Sequence, residues 1–224
     1  SNTSGETNSN RPSPEAEATV MDRWEEVTAA SSVGRFMTDW ADVEPSEGDR
    51  RFDDLEEALS EMTESGRRPM VSIVALDVSG TDVPDWLGGF EPERAAEAYV
   101  SMIEAALPIL REHDVWTLAI ANEPPLGEDD FDRDDFATFV ELVVDDLGAV
   151  APELPVTFTF AGGDPFIDDP AIDRLIESVD VYSVNHYCLD AFLRVTPLDE
   201  IAEPLDRHVR RADGRPIVFQ ELGC

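Results

Sequence analysis

Two rhythms of apolar positions alternate along the chain. Short, nearly unbroken apolar runs read as strands: "GRFMTDW" (34–40), "RPMVSIVAL" (68–76), "VWTLAIA" (115–121), "PVTFTFA" (155–161), "DVYSVNHY" (180–187) and "PIVFQEL" (216–222). Between them the spacing turns helical, around Val20 to Ala30 and over 52–64, Pro92 to His113, Asp132 to Leu147, 170–178 and 198–211. In the fourth of these helices Phe136, Phe139, Val140, Val143, Val144 and Leu147 form one stripe, with Gly148 as the expected stop. The strands lack strict alternation of polar and apolar positions, as parallel strands covered by helices do. Six strands alternating with helices fit a doubly wound sheet or a (β/α) barrel. The doubly wound sheet would usually carry a Gly-rich phosphate turn after an early strand, and the chain has none. The expected fold is therefore α/β, a (β/α)8 TIM barrel with six to seven of its strands in this chain. Residues 1–19, rich in Ser, Asn, Thr, Pro and Glu, read as a disordered polar leader, and residues 20–224 as the barrel.

Charge narrows the range of partners. The 224 residues include 50 acidic against 16 basic ones, a formal net charge of −34, and every basic residue is Arg. Phosphate backbones would be repelled, which argues against nucleic acid. Acid spread along the whole chain fits a surface adapted to high salt, the reading preferred over an ordinary acidic protein. No apolar run reaches the roughly 20 residues that span a bilayer. The polar leader resembles those that follow a removed signal or lipid-anchor segment, so an extracellular or cell-surface location is expected. Cys188 and Cys224 are the only cysteines. They suit no zinc or redox motif, and either a pair or two free thiols is open.

Chemistry gathers where the strands end. Asp39 and Trp40 follow the first, Asp77 the second, Asn122 and Glu123 the third, Asn185, His186 and Tyr187 the fifth, and Glu221 the sixth. In a barrel these ends share the face that carries the active site. Glu123 and Glu221 lie 98 residues apart, close to three βα units of about 31 residues each. That spacing sets two carboxylates across one mouth, the equipment of glycoside hydrolysis. Asp130, Asp132, Asp134 and Glu141 have calcium-loop spacing, but Asp135 stands where the sharp turn needs Gly, and a helix N-terminus accounts for these acids without a metal. The three histidines are scattered. No metal and no cofactor is expected.

With "IANEPP", "VNHY", "PIVFQELG" and "GRFMTDWADVEPSEG" in this order, the chain resembles glycoside hydrolase clan A, the retaining (β/α)8 glycosidases, with family 5 the nearest by strand pattern. The resemblance implies Glu123 as general acid and then base, and Glu221 as the nucleophile of a covalent glycosyl-enzyme. It implies Asn122 on the sugar 2-hydroxyl, and Arg35 and Tyr187 as donors to Glu221. His186, Trp40 and Trp86 complete the expected substrate-binding set, with Phe90 and Phe166 as further aromatic candidates. The expected partner is a β-linked poly- or oligosaccharide; the oligomeric state is open. Against the clan pattern the chain lacks strands 1 and 8 and looks like an incomplete copy of a longer protein. The competing expectation is a non-catalytic carbohydrate-binding barrel.

Overall fold

The computed structural model describes residues 32–78, 80–126, 132–162, 170–188 and 197–223. The leader, the helix expected around 20–30 and Phe166 lie outside these residues. Six parallel strands form one curved sheet: β1 (Val33–Asp39), β2 (Arg68–Asp77), β4 (Thr117–Asn122), β5 (Val156–Phe160), β6 (Tyr182–Tyr187) and β7 (Ile217–Gly223). They are ordered β1-β2-β4-β5-β6-β7, and a two-residue antiparallel strand β3 (Gly80–Thr81) is added to β2. All six expected strands are present, as a half-barrel whose edges are β1 and β7.

Helices cover the outer face: α1 (Trp40–Val43), α2 (Asp53–Glu64), α3 (Pro92–Glu112), α4 (Arg133–Val150), α5 (Pro170–Ser178) and α6 (Leu198–Ala212). The stripe predicted for α4 is buried, Phe136, Phe139, Val140, Val143 and Leu147 being fully enclosed. The helix runs on through Gly148 to Val150, so this glycine is no stop. Asp132 caps α4 by accepting from the Asp135 backbone N–H at 3.0 Å, with Asp134 and Asp135 in the first turn. That is the N-terminal use of acids expected there. The core between sheet and helices is held by edge-to-face aromatics, Trp40 on Tyr99 and Tyr99 on Phe139 at 5.1 and 5.8 Å. Each such pair contributes roughly 0.5–1.5 kcal/mol beyond the area it buries.

The inner face differs in composition. Ser72, Thr157, Thr159 and Ser183 are fully buried there, and Thr159 and Ser183 meet across β5 and β6 at 3.3 Å. Pleating sends alternate side chains to opposite faces, so these small polar residues line the inside while Phe158, Phe160 and Tyr182 pack outward. The rule breaks at three register shifts near the C-terminal strand ends: between β2 and β4, β4 and β5, and β6 and β7. Extra residues in one strand of a pair bend it and re-aim the side chains that follow. All three shifts lie just below the mouth.

Candidate active site

Arg35, on the inner face of β1, organises the mouth. Its guanidinium donates to Glu221 Oε1 at 3.4 Å, to Asn122 Oδ1 at 2.9 Å and to Ser72 Oγ at 3.3 Å. One cation thus ties together β1, β2, β4 and β7, bridging the two open edges of the sheet. Burial pushes its pKa down while Glu221, Glu123 and Asp77 hold it up; an arginine stays protonated in either case. Tyr187, at the end of β6, donates its hydroxyl to Glu221 Oε2. Its pKa is pushed up to about 12, first by that hydrogen bond, then by burial and by the charges of Glu221 and Glu123. Tyr187 therefore keeps its proton and acts as a donor throughout the neutral range.

Register shifts deliver both parts of the site. Phe219 faces the helices, its ring edge-on to His208 of α6 at 6.0 Å. Strict alternation would send Glu221 the same way. Val184 pairs with Phe219 but Asn185 pairs with Glu221, so Gln220 is an extra residue that turns Glu221 inward. In β4, Leu118 and Ile120 pack in the outer core, and the shift between Ala119 and Asn122 re-aims Asn122 to Arg35. Glu123 follows with φ at 47°, a left-handed conformation that costs a non-glycine residue about 1 kcal/mol or more, while its N–H donates to Thr159 O at 2.8 Å. Strain of this kind clusters at functional sites. Both Arg35 and Tyr187 lie within reach of the charges of Glu123 and Glu221.

Three of the expected sugar contacts lie away from the Arg35 network. Trp40 is fully buried: it opens α1, stacks edge-on to Trp86 and Tyr99, and points Nε1 at Glu44 Oε2, 3.4 Å away. It is a core residue, because the chain turns into α1 immediately after β1. His186 is 7% exposed and turned to the helices, with Nδ1 3.4 Å from His208 Nε2. Its neighbour Tyr187 points to the mouth, so the pleat directs His186 away. Trp86 donates to Glu44 O at 2.9 Å and lines a separate hollow of about 340 Å³ with Arg50, Arg94 and Glu97, apart from the Arg35 network. Phe90 packs on Phe139 at 5.5 Å.

Two strand-end residues outside the expected site set join it. Asp77 accepts from Asn122 Nδ2 at 3.0 Å. Asn185, two residues before Tyr187 and hence on its face, is 1% exposed, and its amide has no hydrogen-bond partner among the described residues. Gly162 beside it is obligatory, since a Cβ there would lie 2.9 Å from Asn185 O. Cys188, directly after β6, is disulfide-bonded rather than free; Cys224 lies outside the described residues. No described helix is long and apolar enough to cross a membrane.

No family model and no curated protein matches this chain. Solved glycosidase structures do. A β-glycosidase superposes with a TM-score of 0.64 at 16% identity, over 89% of this chain and 66% of its own. An exo-β-1,4-mannosidase from an Opitutaceae bacterium gives 0.67 at 17% identity, over 92% and 42%. A family GH5_18 protein from Bifidobacterium longum, in complex with a mannose–N-acetylglucosamine disaccharide, gives 0.62 at 13% identity, over 94% and 64%. This chain thus spans less than two thirds of the length of each of these. At such identities the likeness is one of fold: the chain has the six-stranded fold of a partial (β/α)8 barrel, shared with these glycosidase structures.

Proposed function

We propose that this chain carries the catalytic centre of a retaining β-glycosidase acting on a β-linked poly- or oligosaccharide. The observation that carries the reading is Glu221 clasped by two donors, Arg35 and Tyr187, both of which lie within reach of the charge of Glu123. Both donors need acceptor oxygens, so the clasp suits a carboxylate held ready as nucleophile. In the first step Glu221 bonds to the anomeric carbon while Glu123 gives its proton to the departing glycosidic oxygen. In the second, water attacks the glycosyl-enzyme, Glu123 takes its proton, and Glu221 leaves. Asn122, beside Glu123, faces the sugar 2-hydroxyl in this scheme. The test is a 2-deoxy-2-fluoro glycoside with a good leaving group, followed by mass spectrometry of the digested protein. A fluoroglycosyl adduct on Glu221 is expected. Sugar binding with no adduct would favour a non-catalytic carbohydrate-binding barrel instead.

The same protein is proposed to work at high salt and outside the cell. Arginines at the surface are already engaged, in pairs such as Arg68–Asp114, Arg111–Glu153, Arg174–Glu141 and Arg211–Asp173, so most of the acidic excess is left to repel itself. Screening shortens from about 10 Å at 0.1 M salt to about 3 Å at 1 M. The unfolding temperature is therefore expected to climb between 0.1 M and multimolar NaCl. Calorimetry finding the highest stability at low salt would remove this part of the proposal.

A further inference from the structure

Building on the glycosidase reading, we propose that Asp77 is a positioning residue that fixes the Asn122 side chain as a hydrogen-bond donor to the substrate. A primary amide has an acceptor end and a donor end, and turning it over exchanges them. Where its partners are hydroxyls or water, either orientation is satisfied. Asn122, 8% exposed, has no such freedom. Arg35 Nη2, which can only donate, lies 2.9 Å from Oδ1, and Asp77 Oδ1, an acceptor, lies 3.0 Å from Nδ2. Reversal would set donor against donor at one end and oxygen against oxygen at the other. Asp77 engages one of the two Nδ2 protons, and the second is presented to a sugar hydroxyl. Arg35 alone would leave the amide held at one end.

The backbone supports this assignment. Ser72 pairs with Ala119, and Leu76 next pairs with Ala121, so three residues of β2 (73–75) stand against one of β4. In continuous register Asp77 would lie level with Pro124. The bulge draws it back to face Asn122 directly.

Two measurements decide the matter. Wild type and Asp77→Asn are compared on an aryl β-glycoside and its 2-deoxy counterpart. An Asn at position 77 keeps the volume but presents an amide that serves in either sense. For the parent substrate kcat/KM is expected to fall about 10- to 100-fold, mainly through kcat, as loss of a charge-assisted hydrogen bond made in the transition state would give. For the 2-deoxy substrate the fall is expected to be under about 3-fold, and Asp77→Glu should recover part of the loss. Equal losses on both substrates would mean that Asp77 acts on the fold at large and would overturn the proposal. Independently of turnover, the Asn122 side-chain amide protons, assigned by their loss in Asn122→Asp, should shift in the NMR spectrum of Asp77→Asn. Amide signals indifferent to Asp77→Asn would overturn the proposal even in an active enzyme. A wild type without glycosidase activity would defeat the proposed function, and the amide shift would still test the contact.

Discussion

Glu221→Ala is expected to lower kcat on aryl β-glycosides by about 10⁴-fold or more, because removing the nucleophile leaves only binding and electrostatic stabilisation to act. The fold should tolerate the change. The Glu221 side chain is 42% exposed, and Arg35 keeps Asn122 and Ser72 as acceptors when it loses this partner. Glu123→Ala should behave differently, in a way that separates the two roles. A general acid matters in proportion to the leaving group's need for a proton, so the first step with a dinitrophenyl glycoside should be nearly unimpaired. With a phenyl or sugar leaving group the loss should be about 10²- to 10⁴-fold. The second step requires the same residue as base, so glycosyl-enzyme should accumulate on the activated substrate and appear as a burst of phenolate. Steady-state and pre-steady-state kinetics on the two leaving groups read both effects. Two variants with the same leaving-group dependence would show that the carboxylates do not divide the work as acid and nucleophile.

What the sequence disclosed, and what it hid, follows from which physics is local. The ten residues of β2 are buried almost end to end, and their run "RPMVSIVAL" could hardly be anything else. Likewise α5 occupies 170–178 as the pattern predicts. Barrel order and the meeting of strand ends at one mouth also follow from local alternation of elements. Side-chain direction at those ends does not. Strict pleating from Phe219 would bury Glu221 among the helices, and only the extra residue Gln220 brings it to Arg35. The contact between Asp77 and Asn122, 45 residues apart in sequence, depends on a bulge between two strands. Nothing local marks the four-residue helix after β1, yet that helix sets the Trp40 indole edge-on to Trp86 and Tyr99. His186 is the instructive case. Sequence places it one residue from Tyr187, and one residue along a strand is the opposite face.

That opposite face carries the second large effect, on stability rather than turnover. His208 of α6 is fully buried, with Nδ1 3.2 Å from the Tyr182 hydroxyl and Nε2 3.4 Å from His186 Nδ1. One self-consistent neutral arrangement has Tyr182 donating to Nδ1 and Nε2–H donating to His186. A second proton on His208 would place a charge in a fully buried site, beside His186 and Arg207. Burial, then the nearby His186 and Arg207, push the His208 pKa down to about 4 from the ordinary 6.5. The unfolded chain therefore binds a proton that the folded chain refuses. The stability at stake is complete above about pH 6.5, is lost progressively as pH falls from there to about 4, and does not decline further below that. The shift corresponds to about 3 kcal/mol between the two limits. His186, whose pKa is also lowered by burial, acts in the same direction. Asp82 opposes both: burial and the charges of Asp39, Asp77 and Asp42 raise its pKa to about 6, so the fold takes up its proton more readily than the unfolded chain and gains as pH falls. A single stability curve mixes these contributions, whereas a difference between proteins isolates one of them. Urea unfolding of wild type and His208→Gln, compared at fixed salt from pH 7.5 to pH 4, should show the two curves converging as pH falls. Curves that stay parallel across that range would mean that His208 holds its proton equally well in the folded and unfolded chain, and the buried relay from Tyr182 to His186 would then have no part in acid sensitivity.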